Sequence, residues 1–376
     1  MPKPRHRLSY RVGMGTEREP GRDYGPPAEA KRARIHQGPV GLRHWDRDRA
    51  FYGYTLFSSA FGNSQYLVDM NGRVVHEWPV VHSQWAELDD DGTLFWDNYF
   101  GGIFESDVDG NVTWGWHGRT HHDFHRYGDG SILTLYQKDR WREEIFAGGP
   151  IQDDLLIKLD RDTRVHWEWW LSDHVDELCA LSGLELPQLR ADWAHTNTIT
   201  VLPDTPVGRA DGRFRAGNFL LSHRQLDVVS VVDQDSHAIV WAWGLGTLDG
   251  QHQSQMTPEG NILLFDNGTR RGWSSVREFD PRDPDKMIWE YSDGENFFSP
   301  FRAGQQRLPN GNTLICESDC GHLFEVTRSG EIVWDYYSPF FGGQYINVYR
   351  ATRYPPEHVE PWLEPEIVAY SRHGRR

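Results

Sequence analysis

The sequence has little cysteine and no long apolar run. Three cysteines among 376 residues exclude a disulfide-based framework, and Cys316 and Cys320 lie too close together to enclose a long loop. No segment approaches the ~18 unbroken apolar residues that a membrane-spanning helix needs. The first fifteen residues are basic, but the apolar segment of a secretion signal does not follow them. We therefore expect a cytoplasmic protein without a membrane partner.

An excess of positive charge is also absent. The chain has 39 basic and 55 acidic residues, which gives a formal net charge of −16. Such a surface repels a phosphate backbone, so a nucleic-acid partner is not expected. A local basic pocket can still bind a small anion against the overall sign.

Aromatic residues and glycine are abundant, whereas helical patterning is sparse. Seventeen Trp and 37 Gly favour short strands joined by tight turns. Residues 1–50 contain few large apolar side chains and are predicted to form an N-terminal arm. From residue 51 the chain alternates apolar and polar residues between Asp-Gly and Asn-Gly turn pairs. We assign residues 51–376 to one all-β domain.

An internal repeat determines the predicted architecture. Each copy consists of a strand, an Asp/Gly turn and a strand that carries Trp; the copies are YLVDMNGRVVHEW (66–78), FESDVDGNVTWGW (104–116), LLIKLDRDTRVHWEW (155–169), VVSVVDQDSHAIVWAW (228–243), VREFDPRDPDKMIWEY (276–291) and LFEVTRSGEIVWDYY (323–337). A second hairpin such as DDDGTLFW or LPNGNTLI follows most copies. Six copies of about four strands each predict a six-bladed β-propeller, in which neighbouring blades cover one another's faces. The alternative is a β-sandwich whose tryptophans recur by coincidence.

Two further features belong to this prediction. Residues 173–182 show a helical pattern that Gly183 ends, and we expect one short helical insertion there. Residues 53–59 are expected to supply a strand to the last blade and to close the ring with residues 345–354.

Histidines recur at one position of the repeat. The innermost strand of a blade lines the central channel, and it should lie between each terminal Trp and the next Asp-Gly hairpin. These stretches contain, in blade order, His82, His121 with His122, His195 with Asn197, His252, Arg302 and Tyr345. Four successive blades thus place histidine at nearly the same position, which favours a shared site over isolated core residues.

Two chemistries suit a ring of inward-facing histidines. The imidazoles can bind a metal, or one of them can act as a nucleophile while the others and an arginine hold an anion. His195 and Asn197 point to the same side of a strand, and LSHR brings Arg224 to the neighbouring strand. A metal site gains little from a nearby guanidinium, whereas an oxyanion site gains a planar fork of donors.

At this point the sequence resembles the bacterial arylsulfate sulfotransferase (arylsulfotransferase) family. The resemblance rests on THHDF (120–124), DWAHTNTI (192–199), NFLLSHRQLDVVSVVD (218–233) and GQHQSQMTPEGNILLFDNGTRR (250–271). It covers most of residues 50–350 and implies a six-bladed propeller. It also implies transfer of a sulfuryl group from an aryl sulfate to a phenol, with no cofactor and no nucleotide sulfate donor.

The resemblance also implies roles for individual residues. His252 matches the histidine that becomes transiently sulfated, and His122, His195, Asn197 and Arg224 match the groups around the sulfate. His122 is chosen over His121 because His122 and His252 both lie eight residues before the glycine of the next hairpin. We predict His252, His122, His195 and Arg224 as catalytic; the predicted substrate-binding residues are Asn197, His121, His82, Arg302 and Tyr345.

Alternatives remain open from the sequence. In one, His82, His122, His195 and His252 bind a transition metal and the enzyme is a lyase, hydrolase or oxidoreductase. In another, the propeller is a non-catalytic platform that binds proteins. The predicted partners are a small aryl sulfate and a phenolic acceptor, and a homo-oligomer is compatible with the sequence. Asn267 belongs to an Asn-Gly-Thr sequence, which has no meaning as a glycosylation signal without secretion.

Overall fold

The computed structural model describes residues 39–99, 101–340 and 348–373. These residues form 25 strands; in chain order they are β1 (Gly41–Trp45), β2 (Tyr54–Ser59), β3 (Ser64–Val68), β4 (Val74–Pro79), β5 (Ala86–Leu88), β6 (Leu94–Asn98), β7 (Gly102–Ser106), β8 (Val112–Trp116), β9 (Thr120–Arg126), β10 (Ile132–Arg140), β11 (Ile151–Leu159), β12 (Val165–Trp170), β13 (Thr196–Val201), β14 (Phe219–His223), β15 (Val228–Val232), β16 (Ile239–Trp243), β17 (His252–Met256), β18 (Ile262–Asp266), β19 (Ser275–Phe279), β20 (Met287–Tyr291), β21 (Gly304–Arg307), β22 (Thr313–Glu317), β23 (His322–Val326), β24 (Ile332–Tyr337) and β25 (Val348–Tyr354).

The strands are arranged as a six-bladed β-propeller, which confirms the predicted fold. Blade 1 consists of β25 and β2–β4, blade 2 of β5–β8, blade 3 of β9–β12, blade 4 of β13–β16, blade 5 of β17–β20 and blade 6 of β21–β24 with β1. The first strands of neighbouring blades contact one another, for example β9 with β13 and β13 with β17. These inner strands are the stretches that the sequence assigned to the channel.

The ring closes through a strand from late in the chain. β25 pairs antiparallel with β2, and Tyr54 lies opposite Tyr354. The predicted pairing is therefore present, but it is the late strand that completes the first blade. β1 pairs with β24 and adds a fifth strand to blade 6. Residues 1–38 of the predicted arm lie outside the described residues.

Short helices interrupt the strands at a few places. The predicted insertion consists of a 3₁₀ turn, Leu171–His174, and a helix, Val175–Ser182, which ends at Gly183 in the left-handed region. Other α-helices were not predicted; they are Pro206–Ala210, Pro356–Val359 and Pro365–His373. Within the described ranges, no helix is long and apolar enough to cross a membrane.

The apolar core is divided among the blade interfaces. In the described part of the chain, each pair of neighbouring blades shares one large cluster of buried apolar side chains. The repeated tryptophans strengthen these interfaces, because their indole N–H groups donate to the next blade's outer hairpin. The donor–acceptor pairs are Trp114 with the Arg161 carbonyl, Trp169 with the His237 carbonyl, Trp243 with the Asp285 carboxylate, Trp289 with the Arg328 carbonyl and Trp334 with the Met70 carbonyl.

Blade 1 uses a histidine at the equivalent place. His76 Nε2 lies 2.8 Å from the Val108 carbonyl oxygen in the outer hairpin of blade 2. The side chain stacks edge-on with Trp78, whose indole is fully buried. The tryptophans of the repeat therefore contact the neighbouring blade. Each blade has one such interface with the next blade, which explains why the tryptophan recurs once per blade.

Trp334 provides a test of this interface. Its side chain is fully buried and its indole donates to the Met70 carbonyl at 3.0 Å. Trp334→Ala should lower the free energy of unfolding by about 3–5 kcal/mol, because it leaves a cavity and an unpaired carbonyl. Urea unfolding measures the change. Trp141→Ala, at an indole that is 75% exposed, should change it by less than about 0.5 kcal/mol. Equal effects of the two substitutions would contradict this role.

Candidate active site

The inner strands reach the candidate site with an unusual backbone conformation. Non-glycine residues with positive φ occur there in successive blades; they are His82 (51°), His122 (66°), His195 (50°), Gln253 (46°) and Arg302 (58°). The register of the inner strand also shifts in blades 3, 4 and 5, as it does at a β-bulge. Such conformations cost roughly 1–3 kcal/mol each and are concentrated at functional sites. In a regular strand, neighbouring side chains alternate between the two faces. A positive φ interrupts this alternation, so that adjacent side chains can lie on the same side.

The consequence is clearest at His121 and His122. Adjacent residues of a regular strand point to opposite faces. Here the positive φ of His122 brings the two ring centroids to 4.1 Å, and both side chains are buried. The His195 ring lies 4.9 Å from each of them. The structure therefore brings together both predicted histidines of blade 3 and the predicted histidine of blade 4.

A chain of hydrogen bonds runs through two of these rings. His122 Nε2 lies 2.9 Å from His195 Nε2, so one nitrogen donates to the other. His195 Nδ1 donates to the Asp192 carboxylate at 2.6 Å. At the other end, His122 Nδ1 is hydrogen-bonded to the Tyr349 hydroxyl. An acid–imidazole–imidazole–phenol relay results, and Asp192 and Tyr349 orient its two imidazoles.

His252 lies beside this relay with its own set of partners. Its Nδ1 is 2.8 Å from Asn267 Oδ1 and 3.1 Å from the Gly250 carbonyl oxygen. Its Nε2 accepts a hydrogen bond of 3.2 Å from the Arg302 main-chain N–H. The ring is buried.

Two buried arginines supply positive charge. The Arg224 main-chain N–H donates to the His195 main-chain carbonyl at 3.2 Å, which places the two residues side by side. Arg350 forms a 3.1 Å ion pair with Asp123 and donates to the Asn197 carbonyl at 2.7 Å. Both side chains are at most 6% exposed, so solvent screens their charges weakly.

Burial keeps the imidazoles of His121, His122 and His252 neutral. Burial, followed by the charges of His121 and His195, lowers the pKa of His122 well below its usual value. Burial and the Arg224 guanidinium do the same to the pKa of His252. Burial lowers the pKa of His121 to about 3. The site therefore offers unprotonated nitrogens at neutral pH.

Asp192 behaves differently from the histidines. Burial alone would raise the pKa of its carboxyl, but the charge and hydrogen bond of His195 outweigh that effect and hold the pKa below its usual range. Asp192 is therefore a carboxylate, and it accepts a hydrogen bond from His195 Nδ1. This arrangement orients His195 as an aspartate orients the histidine of a hydrolytic triad.

Other predicted residues occupy different positions. The Asn197 amide donates to the Gln251 carbonyl at 2.9 Å and accepts from the Thr198 hydroxyl, so it joins β13 to β17. No hydrogen bond or ring contact joins the His82 imidazole to the other histidines among the described residues. Tyr345 lies outside the described residues. The predicted contacts of these three side chains with a substrate stay predictions.

Aromatic side chains surround the Arg302 guanidinium. Its guanidinium lies 4.9 Å from the Phe61 ring centroid and 5.2 Å from that of Phe301. Tyr99 lies 6.1 Å from the His122 ring. Phe61 is exposed, and Tyr99 and Phe301 are partly exposed.

Sequence reasoning missed several of the groups that complete the site. Asp192 lies within DWAHTN, three residues before His195, and that spacing could have indicated it. Tyr349 and Arg350 lie on β25, a few residues after Tyr345, the residue that the sequence analysis assigned to this blade. Asn267 was considered only as part of a glycosylation signal.

The histidine cluster can also be tested as a metal site. His121, His122 and His195 each offer a ring nitrogen, and these atoms lie within 4.8 Å of one another. Two nitrogen ligands of a tetrahedral zinc ion lie ~3.3 Å apart. The 2.9 Å separation of the His122 and His195 Nε2 atoms is that of a hydrogen bond. The three imidazoles are suitable ligands for a metal. However, the distance between the His122 and His195 Nε2 atoms is too short for two ligands of one ion, and the nearby guanidinium groups favour an anion.

A family model for arylsulfotransferase (ASST) matches residues 65–338 of the sequence, which is most of the chain. The chain belongs to the arylsulfotransferase family. The match includes the segments that carry the His122, His195, Arg224 and His252 positions. Membership in this arylsulfotransferase family supports a sulfotransferase-like enzyme. No curated protein matches the sequence significantly.

Comparison with solved structures found chains that align over most of the length of this one. A Bacteroides caccae protein of unknown function aligns over 80% of this chain and 98% of its own, with 13% identity and a TM-score of 0.55. A Staphylococcus aureus virginiamycin B lyase, an inactive variant with quinupristin, aligns over 81% and 90%, with 9% identity and a TM-score of 0.46. The Myceliophteria thermophila Cps50 (Swd1) β-propeller domain aligns over 79% and 90%, with 12% identity and a TM-score of 0.43.

Proposed function

We propose that the protein transfers a sulfuryl group from an aryl sulfate to a phenol through a covalent histidine intermediate. The observation that carries the proposal is His252, a buried neutral imidazole beside the Arg224 charge and next to the His122–His195 pair. Membership in the arylsulfotransferase family supports the same reaction class.

His252 is the proposed nucleophile. A neutral imidazole has one nitrogen lone pair, and burial together with Arg224 keeps His252 in that form. Its attack on sulfur forms an N–S bond and breaks the S–O bond to the aryl group, whose oxygen keeps the electron pair. The phenolate leaves, and the acceptor phenol later takes the sulfuryl group from the imidazole. This order of events gives ping-pong kinetics.

Arg224 and the two imidazoles of the relay are the proposed anion-binding groups. The sulfate oxygens carry negative charge that repels a nucleophile, so donors fixed around them lower the barrier. Arg224 presents a fork of donors, and the Nε2 atoms of His122 and His195 meet at one place. An entering sulfate would replace the bond between the two imidazoles with hydrogen bonds to its oxygens. Because Asp192 accepts from His195 Nδ1, a donor at His195 Nε2 requires the imidazolium form of that ring.

His122 is the proposed general acid and base. It shares one proton with His195 across 2.9 Å, and its other nitrogen contacts the Tyr349 hydroxyl. The transferable proton is that of a His195 imidazolium, which can pass through His122 to the leaving phenolate and return from the acceptor phenol. Asp192 keeps the carboxylate form and thereby holds His195 in place for this exchange.

Incubation with p-nitrophenyl sulfate tests the proposal. We expect an early burst of p-nitrophenolate equal to the enzyme concentration, and an acid-labile adduct of one sulfuryl group in the intact mass. Addition of a phenol should remove the adduct and yield the aryl sulfate of that phenol. Absence of both burst and adduct over a range of pH would contradict sulfuryl transfer through histidine.

Metal-assisted chemistry is the second candidate function. The convergence of the His121, His122 and His195 nitrogens within 4.8 Å favours it. Metal analysis of the same dialysed sample separates the two candidates. Stoichiometric iron, copper or zinc together with no adduct would favour the metal; an adduct in a metal-free sample would favour the histidine intermediate.

A further inference from the structure

Asn267 is a buried amide that follows β18 directly and contacts the ring of His252. Its side chain is fully buried. Asn267 Oδ1 lies 2.8 Å from His252 Nδ1, and Asn267 Nδ2 donates to two carbonyl oxygens, those of Ser299 at 2.7 Å and Arg302 at 3.0 Å. The residue thus bridges β17 of blade 5 and the loop that leads into blade 6.

These contacts fix the orientation of the amide. Carbonyl oxygens accept hydrogen bonds but cannot donate them, so the NH₂ group of Asn267 must face Ser299 and Arg302. The amide oxygen must then face His252. The Ser274 hydroxyl donates to the Asn267 carbonyl at 2.8 Å and holds its main chain in the same position.

The orientation of the amide decides the tautomer of His252. Both neighbours of Nδ1, the Asn267 amide oxygen and the Gly250 carbonyl oxygen, are acceptors. Nδ1 therefore carries the proton, and the lone pair of the neutral ring is on Nε2. The Arg302 N–H that faces Nε2 at 3.2 Å is consistent with a lone pair at that atom.

We propose that Asn267 is the positioning residue that holds His252 in the Nδ1–H tautomer and makes Nε2 the atom that receives the sulfuryl group. The second half of this statement rests on the proposed function. Attack by Nε2 leaves the ring as an N-sulfonated imidazolium that retains its Nδ1 proton, while the aryl oxygen departs with the S–O electron pair. The Arg302 N–H releases the Nε2 lone pair as the N–S bond forms, and no oxidant or co-reactant is required.

Asn267 also acts on the charge that develops during this step. The ring becomes positive as the N–S bond forms, so the hydrogen bond from Nδ1 to the amide oxygen strengthens towards the transition state. Binding of the aryl sulfate itself does not involve this bond. Loss of the amide should therefore lower kcat and leave KM nearly unchanged.

Asn267 also positions the main chain of Arg302, whose N–H faces the lone pair on His252 Nε2. Asn267 Nδ2 donates to the Arg302 carbonyl, and the Thr269 hydroxyl donates to the Pro300 carbonyl at 3.0 Å. The loop 299–302 is thereby tied to the end of β18. The Arg302 N–H lies opposite Nε2 because of this attachment.

Asn267→Ala is the principal test, with Asn218→Ala as its matched control. Asn218 is also a fully buried asparagine whose amide donates to a loop carbonyl, that of Arg213, in the outer part of blade 4. ¹⁵N spectra of histidine-labelled protein report which ring nitrogen carries the proton, and the spectrum of His252→Asn identifies the His252 signals. We expect Nδ1–H in the wild type and in Asn218→Ala, and a tautomer mixture in Asn267→Ala.

The kinetic readout uses single-turnover formation of the adduct with p-nitrophenyl sulfate. Asn267→Ala should slow it by about 10- to 100-fold, as loss of a partner behind a reactive imidazole typically does. Asn267→Asp keeps an oxygen acceptor opposite Nδ1 and should retain the tautomer and part of the rate. Thermal unfolding of each variant identifies a general loss of fold.

The outcomes separate this inference from the proposed function. Wild-type Nδ1–H signals and a wild-type rate in folded Asn267→Ala would overturn the inference. If the wild type forms no adduct, sulfuryl transfer to Nε2 is refuted together with the proposed function, and the spectra alone decide the role of Asn267 in the tautomer.

Discussion

Replacement of His252 with asparagine should abolish the sulfuryl adduct and the release of p-nitrophenolate. The substitution removes the proposed nucleophile, so the proposed covalent route is lost rather than slowed. Deletion of a nucleophile typically costs ~10⁴-fold or more in kcat. Intact mass after incubation and the initial rate with p-nitrophenyl sulfate measure the two effects.

His125 offers a matched control for His252. It lies on β9, three residues after His122, and its pKa is also lowered by burial. Its ring packs against Tyr127 at 4.8 Å, in a different contact from those of the relay. His125→Asn should still form the adduct. A His252→Asn protein that accumulated a histidine adduct would refute the assignment of the nucleophile.

Arg224→Gln should reduce kcat by about 10²- to 10³-fold, which corresponds to ~2.7–4 kcal/mol of transition-state stabilisation. The guanidinium is 6% exposed, so its charge acts on the sulfuryl oxygens through a medium that screens it weakly. Glutamine keeps a donor but removes the charge. Steady-state kinetics measures the loss, and Arg209→Gln, at an exposed arginine paired with Asp204, should leave kcat unchanged.

The same variant should shift the pH profile in a defined direction. Burial and then Arg224 lower the pKa of His252, and the reactive form of this ring is neutral. Removal of Arg224 therefore raises that pKa, and the acid limb of kcat/KM moves to higher pH. An acid limb that stays in place or moves to lower pH would place Arg224 away from His252.

The repeat explains how much of the fold could be predicted. Each Trp-terminated hairpin is a local pattern of about fifteen residues, and its recurrence determines the number of blades without knowledge of any distant contact. The role of these tryptophans was not visible in the same way. Trp334 donates to the Met70 carbonyl, and no local pattern relates positions so distant in the chain.

The candidate site was predictable where one residue type recurs in register. His122, His195 and His252 occupy equivalent stations of successive blades, and the structure places their rings close enough that each affects the pKa of another. The partners that orient these rings do not recur. Asp192 precedes its strand and Asn267 follows a different strand, so only the folded chain connects them to the histidines.

The conformation of His122 could not be predicted for a physical reason. A strand pattern implies alternation, and alternation would have separated His121 from His122. The positive φ at His122 is an unfavourable local choice that the surrounding hydrogen bonds maintain. Sequence patterns predict the backbone conformations that residues favour locally, so they do not predict a histidine with a positive φ.

The closing strand β25 links the maturation of the enzyme to its chemistry. The strand pairs with β2 across 300 positions of sequence, from Tyr54 to Tyr354, and it also carries Tyr349 and Arg350 into the site. During synthesis, blades 2 to 6 can emerge and pack before these two side chains exist, because only blade 1 includes β25. A nascent chain therefore has no complete relay and no Arg350–Asp123 pair until its ring has closed. Completion of the candidate site is therefore coupled to closure of the ring.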